Sequence, residues 1–300
     1  MPTRVVIVEG PFDLASTLGP LARGPGDRTV TLRPGQAWLA LRTPTGATTM
    51  HLRHEGERLR CEAWGPGAVD VLERADELVG ARIQRPSLDG PSTLITDLAR
   101  RFPGVRLPRT RAVMASLVPV ILEQKVTGAE ARRAWFGLIK TYGEDAPGPS
   151  ETRLRLPPPD AILAALPYFT YHPYGVERRR ADLIRRVAAR GTWLEAIADL
   201  PLVEAHARLT ALPGLGPWTA AEVAIRALGD PDAVSVGDFH LKDLVSWAMA
   251  GEPRGTDERM LELLAPYTGR RAYVVRLLEL SGRRPPRYGP RLSPRRIESS

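Results

Sequence analysis

The sequence predicts two architectures in tandem, an α+β unit over residues 1–88 and an all-α unit over residues 89–282. Two observations carry this division. Before about residue 85 the apolar residues fall in short extended runs parted by turn residues, whereas beyond residue 92 they recur at helical spacing. Between them, Pro86-Ser87-Leu88-Asp89-Gly90-Pro91-Ser92 has the composition of a linker.

Taken in order, Val5–Val8, Thr29–Leu32, Ala37–Leu41, Thr48–Arg53 and Leu59–Trp64 are the expected strands. Arg33-Pro34-Gly35, Pro44-Thr45-Gly46 and His54-Glu55-Gly56 break them as turns. Two helices intervene, Phe12–Ala22 and Ala68–Val79, the second with Val71, Leu72, Ala75, Leu78 and Val79 on one face. An antiparallel sheet with helices on one side satisfies this pattern. The second unit predicts helices over Thr93–Arg101, Arg111–Gln124, Ala129–Tyr142, Pro159–Ala165, Arg178–Ala189, Leu194–Ile197, Leu202–Leu212, Pro217–Leu228, Phe239–Met249, Asp257–Leu264 and Arg271–Leu280. From Arg283 a tail begins that is rich in proline and arginine, and it is expected to be extended or loosely docked.

No apolar run approaches the roughly 18 residues of a membrane span, and the N-terminus reads as a strand rather than a secretion signal. The expectation is therefore a cytoplasmic monomer with no membrane association. Cys61 is the only cysteine, so neither an internal disulfide nor a cysteine-held zinc or iron–sulfur site can form. The net charge of +8 favours a polyanionic partner, and the last 20 residues supply +5 of it through six arginines against one glutamate. A GC-rich genome enriches arginine as well, so charge by itself does not establish DNA binding.

The most informative stretch is Leu212-Pro213-Gly214-Leu215-Gly216-Pro217-Trp218-Thr219-Ala220, set between two amphipathic helices. Two glycines around one leucine permit a tight hairpin that points backbone amides, and the start of the next helix, at one anion. Leu212 and Leu215 would fasten the hairpin, and Pro217 suits the first helical position. Twenty-two residues after Gly216 stands Asp238, within Val236-Gly237-Asp238-Phe239-His240-Leu241. By itself, an aspartate between an extended and a helical segment is an N-cap. A cap position also holds a carboxylate near backbone amides and keeps it ionised.

The hairpin string resembles the helix-hairpin-helix motif of the DNA glycosylase superfamily, and Asp238 sits where that superfamily carries its essential aspartate. Val120-Ile121-Leu122-Glu123-Gln124-Lys125-Val126-Thr127 is similar to the helix that enters the minor groove in the bacterial type II 3-methyladenine glycosylases. The first unit resembles their TBP-like accessory domain. The resemblance implies double-stranded DNA as partner and Asp238 as catalytic carboxylate. It implies Leu212, Gly214, Leu215, Gly216 and Thr219 as the DNA-binding hairpin, and Gln124 and Lys125 as the wedge that fills the gap left by a flipped base. Trp218, Glu222, Phe239 and Tyr171 are the expected base pocket, the last from the aromatic loop Tyr168–Tyr174. No catalytic metal or cofactor is implied; as in relatives, the hairpin carbonyls could hold a monovalent cation.

The chemistry that follows is hydrolysis of an N-glycosidic bond. Its transition state gathers positive charge on the deoxyribose, which a carboxylate stabilises while it orients or deprotonates water. An alkylated purine already carries positive charge and needs little help from a general acid. Bifunctional members carry a Schiff-base lysine after Gly216-Pro217, and here that residue is Trp218. The expectation is a monofunctional alkylpurine glycosylase that leaves an abasic site. Three departures bear on the substrate. Lys125 stands where well-known relatives place an apolar residue, Glu222 where one has an aromatic, and Tyr267–Arg271 lacks a tryptophan found there. A glycosylase specialised for bulky adducts and a non-catalytic DNA-binding protein are the alternatives.

Overall fold

A computed structural model describes residues 1–83 and 85–286. From residue 287 on, the basic tail expected over residues 283–300 lies outside them.

Five antiparallel strands form one sheet in the order β1-β5-β4-β3-β2, with β1 Thr3–Ile7, β2 Val30–Arg33, β3 Gln36–Thr43, β4 Gly46–Glu55 and β5 Arg58–Trp64. The turns at Gly35, Gly46 and Gly56 all place glycine at positive φ, where an L side chain would be strained. One face packs Val6, Leu39, Met50, Leu52, Leu59 and Cys61 against the helices α1 Leu14–Leu18, α2 Ala68–Glu73 and α3 Ala75–Leu78. The single helix expected over Ala68–Val79 is thus broken at Arg74. Burial raises the Cys61 thiol to about 12, in keeping with an inert core residue.

The other face of the sheet is covered too, which the sequence did not signal. A small hairpin, β6 Glu144–Asp145 and β7 Arg155–Leu156, lays Leu154 and Leu156 against Ala40 and Trp38. Beside it Trp38 stacks on His51 and Trp64. Two covered faces explain why β4 is buried at five successive residues, Thr48–Leu52, instead of alternating.

The helices are α4 Thr93–Arg101, α5 Val113–Glu123, α6 Gly128–Tyr142, α7 Asp160–Ala165, α8 Arg178–Ala188, α9 Gly191–Glu195, α10 Leu202–Thr210, α11 Pro217–Val223, α12 Leu241–Ala250, α13 Asp257–Leu264 and α14 Arg271–Leu280. They bury two separate cores. The first surrounds α5, which is apolar all round and therefore central, and runs from Val113 to Ala233. The second joins Leu88, Ile95, Leu98 and Leu107 to residues of α12, α13 and α14. The segment 229–240 crosses from the first core to the second, and Asp238 stands on that crossing. After Val223 the α11 helix widens into a π-type turn over Ala224–Leu228. The carbonyls of Arg226 and Ala227 there accept the amides of Thr110 and Arg111 at the approach to α5.

The sheet unit is tied to the helices by directed contacts. Asp13 N donates to Gly104 O, Arg276 Nη2 to Ser16 O and Arg226 Nε to Pro20 O. Among the described residues no helix is long and apolar enough to cross a membrane.

The amino end of α5 has no side-chain cap of its own; instead Glu195, from α9, accepts the amides of Val113 at 2.7 Å and Met114 at 3.0 Å. Burial raises the Glu195 carboxyl to about 7, against the pull of those two amides and with a further push from Asp160. A raised acid binds its proton more tightly folded than unfolded, so stability declines as pH rises from the unfolded value of 4.5 through about 7. The expected decline is roughly 3 kcal/mol, at about 1.4 kcal/mol per pKa unit. Glu195→Gln keeps an acceptor but not the titration. Denaturant unfolding at pH 5 and pH 8 should show a smaller difference for the variant than for the native chain; equal differences would refute the assignment.

Candidate active site

The hairpin closes through the amide of Leu215, which donates to Leu212 O at 3.0 Å. Gly214 has φ +100°, and a β-carbon there would press on the Leu183 side chain. Gly216 differs: its φ is −88°, and a β-carbon would meet nothing within 4 Å. The open space over Gly216 leaves the backbone accessible to a large external group. The first turn of α11 has no side-chain cap, and Pro217 there has no N–H to satisfy. Leu215 is buried against the first core and Leu212 packs at its edge, so both fasten the hairpin.

The other hairpin and wedge residues divide by direction. Thr219 is only 2% exposed, and its Oγ1 accepts the Gln124 side-chain amide at 3.0 Å. The same amide donates to Gly214 O at 3.1 Å. The Thr219 side chain therefore faces inward rather than toward a ligand, and Gln124 clamps the end of α5 to the hairpin. Lys125 follows in the opposite sense. It is exposed, has φ +55°, and forms the turn into α6. A lysine in the left-handed region costs about 1 kcal/mol, a strain typical of functional turns. Thr127 then starts α6 with a reciprocal capping box to Glu130.

Asp238 is held from both sides. Its Oδ1 accepts the amides of His240 and Leu241, each at 2.8 Å, and its Oδ2 accepts Trp218 Nε1–H at 3.1 Å. Phe239 and His240 are consequently drawn into a turn, and α12 begins at Leu241 rather than at Phe239. The carboxylate thus links the hairpin helix to the amino end of α12 and is half-buried. The preceding segment is pinned as well. Asp230 Oδ2 bonds His206 Nε2 at 2.7 Å, and Asp232 takes a two-pronged contact from Arg271 and the amide of Gly269. Gly237 N donates to Asp257 Oδ1 at 3.1 Å.

The four expected pocket residues do not converge. Trp218 lies against Asp238, and Phe239 adjoins it in sequence but is 72% exposed, its ring edge-on to His240. Tyr171 belongs to the first core, fully buried, with its hydroxyl donating to Leu163 O at 2.7 Å. The segment around it is a series of 3₁₀ turns over Tyr168–Tyr174, not a loop, and packing of that turn on the core takes Tyr171 away from the surface. Glu222 is engaged inside the protein, by Arg226 at 2.6 Å and Ser235 at 2.5 Å. The segment lacking a tryptophan is likewise polar, with Arg271 on Asp232 and Arg270 Nη2 on Asp89 O. Sequence reasoning missed Ser235, Arg23 and Asp232, since each partner is distant in the chain; only the four-residue spacing of Glu222 and Arg226 gave a local sign. No group of three or more His, Cys, Asp or Glu that could hold a metal occurs among the described residues.

No family model matches the chain. The chain is 28% identical over 249 residues to the "Probable bifunctional transcriptional activator/DNA repair enzyme AlkA" of Mycobacterium tuberculosis, covering 78% of this chain and 48% of the relative. It therefore spans about half the length of the curated relative it matches. Among solved structures it is similar to the 3-methyladenine DNA glycosylase from Archaeoglobus fulgidus, with a TM-score of 0.73 at 19% identity over 92% of this chain and 97% of that one. It is also similar to the 8-oxoguanine glycosylase/lyase of Clostridium acetobutylicum, with a TM-score of 0.68 at 13% identity over 93% of this chain and 96% of that one. With the hairpin and the Asp238 crossing, these likenesses make the chain similar in sequence to AlkA and similar in fold to the solved DNA glycosylases.

Proposed function

We propose that this protein is a monofunctional DNA glycosylase that hydrolyses the N-glycosidic bond of alkylated purines in double-stranded DNA. The observation that carries this reading is the Asp238 carboxylate, fixed by three donors beside the hairpin. Its two oxygens are oriented before any substrate arrives, and such preorganisation is what stabilises a developing cation in its transition state. As the bond from the sugar C1′ to the base nitrogen breaks, its electron pair leaves with the base. Water adds to C1′ and gives up a proton, for which Asp238 is the acceptor at hand.

Strand cleavage by Schiff base needs an amine beneath the sugar. The residue facing Asp238 is Trp218, whose indole already donates to it. Glu258 is held below the usual glutamate range by its own backbone amide and Thr256, with a smaller pull from nearby Lys242, and Lys125 stands in the exposed turn. Lys125 suits the wedge: its alkyl stem can fill a vacated stack while its ammonium reaches a phosphate. The open backbone over Gly216 supports the hairpin as a phosphate clamp. The carbonyls of Leu212 and Gly214 each accept one hydrogen bond, which leaves a second lone pair on each for a monovalent cation.

One observation favours the reading as a glycosylase for bulky adducts. Glu222 and Arg271 are tied into internal ion pairs and Tyr171 into the core, so Trp218 and the exposed Phe239 remain as the only aromatics of the expected set at Asp238. A site less enclosed by aromatic rings admits a larger leaving base. Base release from duplexes carrying methylated, deaminated, oxidised and bulky lesions separates the two substrate classes.

Asp238→Asn keeps an oxygen for the amides of His240 and Leu241 but turns an NH2 toward the Trp218 indole. Single-turnover base release should fall at least about 100-fold, the scale of losing one preorganised charge contact. Affinity for an abasic duplex should stay within about threefold, since the phosphate contacts lie elsewhere. Unchanged base release would refute the mechanism. Affinity of the native chain for duplex DNA should fall at least about tenfold between 50 and 200 mM salt, through release of phosphate counterions; a flat salt dependence would exclude a phosphate clamp.

A further inference from the structure

Glu222 is largely buried, with 15% of its side chain exposed, and each of its carboxylate oxygens has a partner inside the protein. Oε2 accepts Arg226 Nη1 at 2.6 Å, and Oε1 accepts Ser235 Oγ at 2.5 Å. Ser235 is itself buried, and its carbonyl accepts the amide of Asp238 at 3.1 Å. Two hydrogen bonds and one residue therefore separate the Glu222 carboxylate from the backbone of Asp238. On its other side Arg226 donates through Nε to Pro20 O at 2.9 Å, so the chain of contacts is rooted in the sheet unit. A second pair, Arg23 with Glu123 at 2.9 Å, lies alongside. Burial and the neighbouring Arg226 both depress Arg23, and Glu123 and Glu222 offset them. Burial alone would raise the Glu222 carboxyl, but Arg226, Ser235 and Arg23 hold it below the ordinary glutamate range. A carboxylate held in its charged form among fixed donors is rigid, because any displacement leaves a buried charge without a partner.

We propose that Glu222 is a positioning residue for Asp238: through Ser235 it fixes the crossing segment that carries the carboxylate, and through Arg226 it anchors that segment to the sheet unit. Its consequence for base release rests on the glycosylase reading above, whereas the anchoring itself does not. This role differs from lining the base pocket, because both oxygens of Glu222 are directed at partners within the protein. It also supplies what the hydrogen bonds to Asp238 lack. Trp218, His240 and Leu241 orient the carboxylate relative to its immediate neighbours, and the Ser235 contact fixes the height of the loop between the two cores.

Hydrogen exchange of the full-length chain, read at the amides of Asp238 and Leu241, tests the anchoring without reference to activity. Ser235→Ala removes one hydroxyl and leaves the Glu222–Arg226 ion pair intact, so the fold survives. It should speed exchange at those two amides at least about tenfold while the core amides of α5 stay unchanged, as expected for local opening. Glu222→Gln, which retains an oxygen for Ser235, should show a smaller acceleration than Ser235→Ala. Single-turnover base release by Ser235→Ala should fall about 10- to 100-fold, the penalty of a misplaced catalytic group, with affinity for an abasic duplex unchanged. Native exchange rates in Ser235→Ala would overturn the proposal. So would a Glu222→Gln variant that changes which lesion is released and leaves exchange untouched, since Glu222 would then touch the base. If the native chain releases no base from any lesion, the glycosylase reading fails, and the exchange measurement still decides the anchoring.

Discussion

The Asp238 carboxylate joins two parts of the protein that otherwise bury separate cores. One oxygen is bound by the hairpin side, through the Trp218 indole, and the other by the amides that open α12. A carboxylate is well suited to this junction because each oxygen accepts more than one hydrogen bond, and charge strengthens each of them. The arrangement has a geometric consequence. The hairpin cannot shift against the second core without breaking a charge-assisted bond at Asp238. Any anion seated over Gly216 is thereby held in a fixed relation to the Asp238 carboxylate.

The surrounding contacts serve the same constraint. Gln124 clamps the end of α5 to the hairpin through Gly214 and Thr219, which fixes Lys125 at the tip of a left-handed turn. Asp230, Asp232 and Ser235 secure the crossing segment to α10, α14 and α11 in succession. Buried polar contacts of this kind add little net stability, because desolvation offsets much of their attraction. Their contribution is to geometry. Glu222, expected at the base pocket, and Arg271, in the segment expected to lack a tryptophan, are both drawn into the supporting framework.

Much of this was legible in the sequence where the controlling physics is local. The helices Thr93–Arg101, Asp257–Leu264 and Arg271–Leu280 begin and end where their apolar spacing does, and the five strands sit within a residue or two of the alternating runs. The pairing of the hairpin with Asp238 was legible as a spacing. What was not legible depends on partners far along the chain. The β6–β7 hairpin is two residues per strand, too short for an alternating pattern, and it packs on Trp38 and Ala40 more than 100 residues earlier in the chain. Tyr171 carries no local mark that separates a buried ring from an exposed one. Thr219 and Gln124 are expected to serve the hairpin and the wedge, yet their side chains bind each other across 95 residues. The contact of Glu222 with Ser235 spans 13 residues and joins α11 to the crossing segment, so no local spacing announces it.

Base removal without strand cleavage, as proposed for this site, leaves a distinct set of products. The native chain is incubated with a duplex carrying a single alkylated purine, with and without borohydride, and the products are resolved. The expected products are free base and a strand that breaks only after alkali, with no protein–DNA adduct trapped by borohydride. A trapped adduct would show that an amine attacks the sugar despite Trp218. Absence of free base from every lesion offered would show that the Asp238 site, for all its preorganisation, is not used for this chemistry.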